Sequence, residues 1–287
     1  MDTHQIPSHV DSLSNEMKLA ARAASAAGKV IREGYGKLHQ VQAKGVGDLV
    51  SDIDRLADEA AANVLNEGNR ARPILSEELS PELDGVQDDF WIVDPLDGTS
   101  AFLFRTGGHY SSVLIALRQG DRTRLGIVHF PVTGEWFYAE AGQGAFQNGQ
   151  PLKTDSLAEL ATGWVELNQY SDSSFETAQF ALLRNRLRTP QGAPLVTQNA
   201  PYSGVAMRIA DPTTFLVAAI HDNQPGHVKQ AAWDIAAPQL ILQEAGGIVV
   251  NFQGGPVDPF HPEPFLVASH SGIANSILAL LEKNGQE

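Results

Sequence analysis

The apolar run Phe90-Trp91-Ile92-Val93 passes without a spacer into Asp94-Pro95-Leu96-Asp97-Gly98-Thr99-Ser100. An ordinary turn after a buried strand needs one or two such residues, not all of them in this order. Strand ends are where a fold can hold side chains rigidly at the rim of its core. The chain is therefore expected to deliver two carboxylates, a glycine and two hydroxyls to one fixed place.

The segments on either side say what kind of core this is. Met17, Ala21, Ala24, Val30 and Ile31 recur at helical spacing from Ser14 to about Gly34, after a polar stretch over residues 1–13 that reads as a frayed arm. A Gly-containing loop, Ala43 to Asp48, precedes a second helix from Ser51 or Asp52 to Gly68, with Leu56, Ala60 and Val64 sharing one face. Pro73-Ile74-Leu75 is a short apolar run ending in Ser76-Glu77-Glu78. Ser111 to Gln150 reads strand, turn, strand, turn, strand, with turn signals at Gln119-Gly120-Asp121 and Val132-Thr133-Gly134. That pattern predicts an antiparallel meander behind a helical pair. The composition turns polar around Pro151 to Leu160, which places a boundary between residues 1–155 and 156–287. Beyond it the sequence predicts a strand over Trp164–Leu167 and a helix over Ser174–Leu187. A strand or loop over Leu195–Val205 and a helix over Pro212–Ile220 follow. A helix opening at Trp233 and stopping at Gly246-Gly247, a strand over Ile248–Phe252 and a closing helix over Ser271–Lys283 complete the chain.

Bulk properties exclude several functions. The chain has 287 residues, 43% apolar and 19% charged, enough for a large core or two packed subdomains. Its net charge of −14 argues against a nucleic-acid polymer or a membrane surface as partner. A small phosphorylated substrate stays compatible, because a metal ion can reverse the sign of a site locally. There is no cysteine, so disulfides, thiolate metal sites and a cysteine nucleophile are excluded. No signal-like pattern and no run of 18 apolar residues is present, which leads us to expect a soluble cytoplasmic protein.

Carboxylates recur at strand ends and helix starts. Glu77 and Glu78 follow one strand, Asp94 and Asp97 another, and Asp234 opens a helix behind Trp233. Taken singly, these read as a solvated loop pair, turn formers and a helix cap. Gathered together they would repel and raise one another's pKa, unless a hard divalent cation removed the penalty. Oxygen-only ligands suit Mg²⁺ rather than Zn²⁺. Gly98, Thr99 and Ser100 then offer backbone amides at the start of a short helical turn, an anion site beside the metal. The Thr99 hydroxyl can relay a proton between an attacking water and a carboxylate.

Two phosphatase chemistries use an Asp-Gly-Thr after a strand. Haloacid-dehalogenase-type enzymes carry Asp-x-Asp-Gly-Thr near the N-terminus and use the first Asp as nucleophile. Here the spacing is Asp-x-x-Asp-Gly-Thr and the motif lies further in. The sequence instead resembles the inositol monophosphatase superfamily of Mg²⁺-dependent, lithium-sensitive phosphatases. Trp91 to Thr99 matches that family's first signature. Trp233-Asp234-Ile235-Ala236-Ala237, continuing to Glu244-Ala245-Gly246-Gly247, matches its second. Leu75-Ser76-Glu77-Glu78 and Asp48 to Asp54 match two further blocks in the same order.

The resemblance implies a layered α/β/α/β/α fold, with an α+β half, an α/β half and the site between them. It implies that Glu77, Asp94 and the Leu96 carbonyl bind a first Mg²⁺, and Asp94, Asp97 and Asp234 a second, with two ions or three in all. Gly98 and Thr99, extended to Ser100, would hold the phosphate. Thr99, hydrogen-bonded to Asp54, would activate the water together with Glu77. A homodimer is implied as well. The family spans inositol monophosphates, fructose 1,6-bisphosphate, adenosine 3′,5′-bisphosphate and histidinol phosphate. Its selectivity lies mainly before Trp233, where an acidic residue is usual. Here that segment is Pro225 to Ala232, carrying His227 and the basic Lys229, which can meet a second anion or remain a surface lysine. Ala101 stands where the family usually has Asn. An active phosphomonoesterase, a bisphosphate nucleotidase and a metal- or phosphate-binding regulator without turnover remain the alternatives.

Overall fold

Ser14 accepts the amide of Met17 through its side chain and so caps α1 (Asn15–Gly34). The cap is itself held, because Glu140 accepts from both the amide and the hydroxyl of Ser14. The computed structural model describes residues 5–45, 48–83, 88–105, 111–169, 185, 195–198, 200–222 and 231–282. Ahead of α1 the chain is not frayed over residues 5–13. Ser8–Ser12 forms a 3-10 turn, Val10 is buried, and the His9 ring lies against Phe146. Polar composition hid one buried valine and the contacts of His9 with Tyr138 and Phe146. The expected Gly-containing loop is part of a hairpin, with β1 (Val41–Gly45) antiparallel to β2 (Asp48–Ser51).

α2 (Asp52–Leu65) pairs with α1, but through a different face from the one expected. Ile53, Ala57, Ala61 and Leu65 are buried, whereas Leu56 is 49% exposed. Two apolar rows at i, i+4 run along this helix, and local sequence does not say which one meets the neighbour.

Seven strands follow in one sheet, ordered β3 (Ile74–Ser76), β4 (Asp89–Asp97), β5 (Ser112–Gln119), β6 (Arg122–Phe130), β7 (Glu135–Glu140), β8 (Ala145–Gln147) and β9 (Gln150–Leu152). Only the β3–β4 pair is parallel. Both predicted turns of the meander are present, with Gly120 and Gly134 at positive φ. A short helix, α3 (Thr99–Phe104), leaves the end of β4.

A second sheet has the order β11 (Leu195–Gln198), β10 (Trp164–Gln169), β12 (Leu216–Asp222), β14 (Phe265–Ala268), β13 (Ile248–Asn251). Its helices are α4 (Tyr202–Ala210), α5 (Ala232–Glu244) and α6 (Ser271–Glu282). The helix expected over Pro212–Ile220 is therefore wrong: Leu216–Asp222 is a strand, and the helix lies earlier, at Tyr202–Ala210. The helix expected over Ser174–Leu187 falls outside the described residues, apart from Asn185.

Side-chain alternation sorts these elements into layers. On one face of the seven-stranded sheet Trp91, Val93, Val113 and Ile115 pack with Met17, Ile31 and Ala57 of α1 and α2. On the other, Phe90, Ile92, Leu114 and Ala116 pack with Val205 of α4 and Ile235 and Ile241 of α5. That same cluster takes in Ala219, Val249, Phe265 and Val267, the inner face of the five-stranded sheet. Val165, Leu167, Ile220 and Leu266 turn outward onto Ile273 and Ile277 of α6. The result is α/β/α/β/α, each fully buried Leu or Ile contributing about 1.5–3 kcal/mol. Gly126 on β6 lets α5 approach closely, since a Cβ there would meet the Ala237 backbone at 2.9 Å.

Candidate active site

Regular strand geometry would separate Asp94 from Asp97. Side chains alternate with period two, so residues three apart face opposite sides of a sheet. In this structure Asp94 pairs with Leu114 but Asp97 pairs with Ser112, so one extra residue is inserted in β4. This bulge turns both carboxylates to the same face, the one covered by α4 and α5. Leu96 points the other way, into the cluster under α1 and α2. The bulge is stitched by Asp94 itself, whose Oδ1 accepts the Leu96 amide at 3.0 Å. Its Oδ2 is buried and has no hydrogen-bond partner among the described residues.

Asp234 comes from the facing helix. It is the third residue of α5, and its Oδ2 accepts the amide of Ala231, the residue that precedes the helix. Thus Asp234 caps its helix from inside while its other oxygen stays available. One oxygen each from Asp94, Asp97 and Asp234 lies within 4.8 Å of the others.

Glu77 is not one of those three, yet it stands beside them. β3 runs parallel to β4 with Ser76 opposite Val93, and the Glu77 amide donates to the Val93 carbonyl at 3.3 Å. Glu77 therefore follows β3 just as Asp94 follows Val93. Its charge helps to raise the pKa of Asp94 and Asp234, after desolvation of the two carboxyls by burial. Burial likewise lifts Asp97 to about 6, opposed by hydrogen bonds from Ser203 and Ser112. The Ser203 hydroxyl donates to Asp97, and Ser112 Oγ lies 2.9 Å from Ser203 Oγ.

The second group of residues is joined through α2. Gly98 sits at φ 82 and turns the chain out of β4 into α3, a conformation that costs glycine little. Thr99 opens α3, and its hydroxyl donates to Asp54 Oδ1 at 2.6 Å, with a longer 3.2 Å contact to the Leu96 carbonyl. Asp54 is the third residue of α2 and its other oxygen accepts from the Ser51 amide at 2.8 Å and hydroxyl at 2.5 Å. Burial raises the Asp54 pKa against these hydrogen bonds. Ser100 follows in the first turn of α3.

Glu77, Asp94, Leu96, Asp97, Asp234, Thr99, Asp54, Gly98 and Ser100 thus all fall in one neighbourhood. Lys229 and His227 lie outside the described residues. Three residues were not anticipated: Ser51, Ser112 and Ser203. Ser51 had a readable signal, its capping-box spacing to Asp54. Ser112 and Ser203 had none, since their partners are remote in sequence.

The carboxylates fit a hard cation. An unpartnered, buried carboxylate oxygen facing two more carboxylates is costly unless a positive ion completes it, and every available donor is oxygen. A five-layered α/β/α/β/α fold with this site at the end of β4, one strand in from the sheet edge, is the layered fold of the sugar-phosphatase type. The sequence profile described as the inositol monophosphatase family matches residues 12–286. The chain belongs to that family. It is 33% identical over 270 residues to Nus factor SuhB of Pasteurella multocida, covering 91% of this chain and 94% of that protein. It is 29% identical over 253 residues to inositol monophosphatase 3 of Solanum lycopersicum, covering 86% and 90%. Among solved structures, the extragenic suppressor protein suhB from Bartonella henselae superposes with a TM-score of 0.78 at 26% identity, covering 94% of this chain and 100% of the other.

Proposed function

We propose that the chain is a Mg²⁺-dependent phosphomonoesterase that releases inorganic phosphate from a small phosphorylated sugar or polyol. The observation that carries this reading is the free, buried Oδ2 of Asp94 among the Asp97 and Asp234 carboxylates. Glu77, Asp94 and the Leu96 carbonyl would hold one Mg²⁺, and Asp94, Asp97 and Asp234 a second. When bound, the metal supplies the positive charge that phosphoryl transfer needs and this acidic site lacks.

The chain's own groups do the rest. The amides of Gly98, Thr99 and Ser100 bind phosphate oxygens and fix the phosphorus for in-line attack. Thr99 commits its hydroxyl proton to Asp54, which leaves the lone pairs of Oγ1 to accept from the attacking water. The proton passes from water to Thr99 while Thr99 gives its own to Asp54, whose raised pKa makes it a better acceptor than an exposed aspartate. Glu77 orients the same water. The water oxygen bonds to phosphorus as the bond to the alcohol oxygen breaks. The departing alkoxide takes a proton from solvent water and Asp54 returns its proton to solvent, so inorganic phosphate and an alcohol leave with no phosphoenzyme.

The resemblance brings further expectations of a homodimer, a cytoplasmic setting and inhibition by Li⁺. Among the described residues no helix is long and apolar enough to cross a membrane. One observation favours a second reading, a regulator that binds metal or phosphate without useful turnover: the Pasteurella relative is named as a Nus factor. Phosphate release over a panel of phosphomonoesters, including a 3′,5′-bisphosphate nucleotide, separates the readings. The panel is run with Mg²⁺, with Mg²⁺ plus Li⁺, and with chelator. Release that needs Mg²⁺ supports the enzyme. Bound Mg²⁺ without release on any substrate supports the regulator.

A further inference from the structure

Asp58 lies one helical turn after Asp54, on the same face of α2. It is fully buried, and no step above uses it. Its Oδ2 accepts the amide of Leu79 at 3.1 Å. Burial raises its pKa, opposed by the nearby Ser76 hydroxyl and the Leu79 and Glu78 amides, while its Oδ1 has no hydrogen-bond partner among the described residues. All three groups belong to the turn that carries Glu77.

That turn is closed on itself. Ser76 and Ser80 form an antiparallel bridge, with the Ser76 amide 2.9 Å from the Ser80 carbonyl and the Ser80 amide 3.2 Å from Ser76 Oγ. Glu77, Glu78 and Leu79 make its tip. Two contacts fix where the tip points: the Glu77 amide on Val93, from β4, and the Leu79 amide on Asp58, from α2. A fully buried carboxylate is an expensive way to secure a surface turn, for which a serine or asparagine would do. The cost makes sense where the turn's angle matters.

We propose that Asp58 is a positioning residue for Glu77. Through Asp54 and Asp58, one face of α2 sets both the Thr99 hydroxyl and the Glu77 carboxylate against the aspartates of β4. The two groups that face the attacking water are then referenced to a single rigid helix rather than to two independent loops. This inference rests on the metal-dependent reading of the site, but its central test needs no turnover.

Three readouts decide it: exchange of the Leu79 amide in the metal-free protein, Mg²⁺ affinity by calorimetry, and kcat against KM. Asp58→Ala is expected to expose the Leu79 amide and to weaken Mg²⁺ binding about 10–100-fold, the usual effect of losing a group that orients a ligand. At saturating Mg²⁺ it is expected to lower kcat with KM little changed. Asp58→Asn, which keeps an acceptor, is expected to recover most of the affinity. Both are repeated in a Glu77→Gln background. If Asp58 acts through Glu77, its effect on affinity disappears there. An equal loss with and without Glu77 would overturn the proposal, as would Asp58→Ala binding Mg²⁺ like the parent. Should Asp58→Ala not fold, the smaller loss in Asp58→Asn is read through the same cycle. A parent that binds Mg²⁺ but releases no phosphate would defeat only the phosphatase reading. A parent that binds no Mg²⁺ would defeat both.

Discussion

Ser203, on α4, donates its hydroxyl to Oδ2 of Asp97, on β4. This bond joins the C-terminal helices to the strand that carries two aspartates, and it is continued to Ser112 on β5. A group that holds a metal-binding carboxylate in one rotamer typically contributes 10–100-fold to affinity. Ser203→Ala is expected to weaken Mg²⁺ binding by about that factor, and Ser112→Ala by less, because its support of Asp97 is the weaker of the two. Calorimetry on the metal-free protein checks both, and parent-like affinity in Ser203→Ala would show that Asp97 needs no such support.

Thr99 donates its hydroxyl to Asp54, which sets the direction of the proposed relay. Thr99→Ala removes the hydroxyl and is expected to lower kcat by about 10²–10⁴-fold. Thr99→Ser keeps it and is expected to retain most of the rate. Phosphate release at saturating substrate tests the pair. Equal losses in the two variants would mean that the methyl packing, not the hydroxyl, is what matters.

Asp97→Asn keeps the shape of the site and removes a charge. Taking one transition-state interaction as about 3 kcal/mol, kcat/KM is expected to fall at least ~10²-fold. Near-normal turnover in this variant would falsify the assignment of Asp97 to metal. Recovery of an acid-stable phospho-aspartyl peptide would instead revive a covalent mechanism.

Without metal, the carboxylate cluster is a liability that grows with pH. Burial lifts Asp97 from an ordinary 3.8 to about 6, and Asp94 and Asp234 are raised as well. Raised acids bind more protons in the folded than in the unfolded chain, so stability falls as pH climbs from about 4 through the folded pKa values. For Asp97 alone the loss is on the order of 3 kcal/mol, at 1.36 kcal/mol per pKa unit. In EDTA, Tm is therefore expected to be lower at pH 7.5 than at pH 5. Mg²⁺ is expected to raise Tm strongly at pH 7.5 and little at pH 5, where protons compete for the same oxygens. The buried His221, held down to about 3 by desolvation, works in the opposite sense over this interval, so the parent is compared with Asp97→Asn: a pH slope in EDTA unchanged by that substitution would contradict the cluster.

Gly126 allows α5 to lie directly on β6, and α5 carries Asp234. Gly126→Ala places a methyl 2.9 Å from the Ala237 backbone. Overpacking of this kind costs about 1–3 kcal/mol. Urea unfolding is expected to show that loss, and Mg²⁺ affinity should fall with it because the helix moves.

What was legible in the sequence follows a physical line. The Asp94–Thr99 and Trp233–Gly247 segments were readable because strand ends, turn chemistry and helix starts are local. Tyr202–Ala210 was not, since that helix is buried between two sheets and shows no polar face to betray its period. The strand Leu216–Asp222 reads as a helix in the sequence for a related reason. It is an interior strand, flanked by β10 and β14, and its apolar run Leu216 to Ile220 does not alternate. The Leu56 and Ile53 rows of α2 both have helical spacing, and only the position of α1 decides which of them is buried. Ser203 could not be assigned to Asp97, because hydrogen bonds across 106 residues leave no trace in a single chain.

The inserted residue in β4 makes the spacing of the two aspartates a question of odd and even. On an unbroken strand, Asp-x-Asp would place two carboxylates on one side; across this bulge, Asp-x-x-Asp does the same. The two phosphatase signatures weighed against each other in the sequence therefore solve one geometric problem by different counts. A deletion of Pro95 that let β4 run regularly would shorten the interval to two without losing a ligand. A deletion that kept the bulge would send Asp97 into the apolar layer beneath α1 and α2. Loop length and bulge are thus coupled, and changing one without the other moves Asp97 to the wrong face.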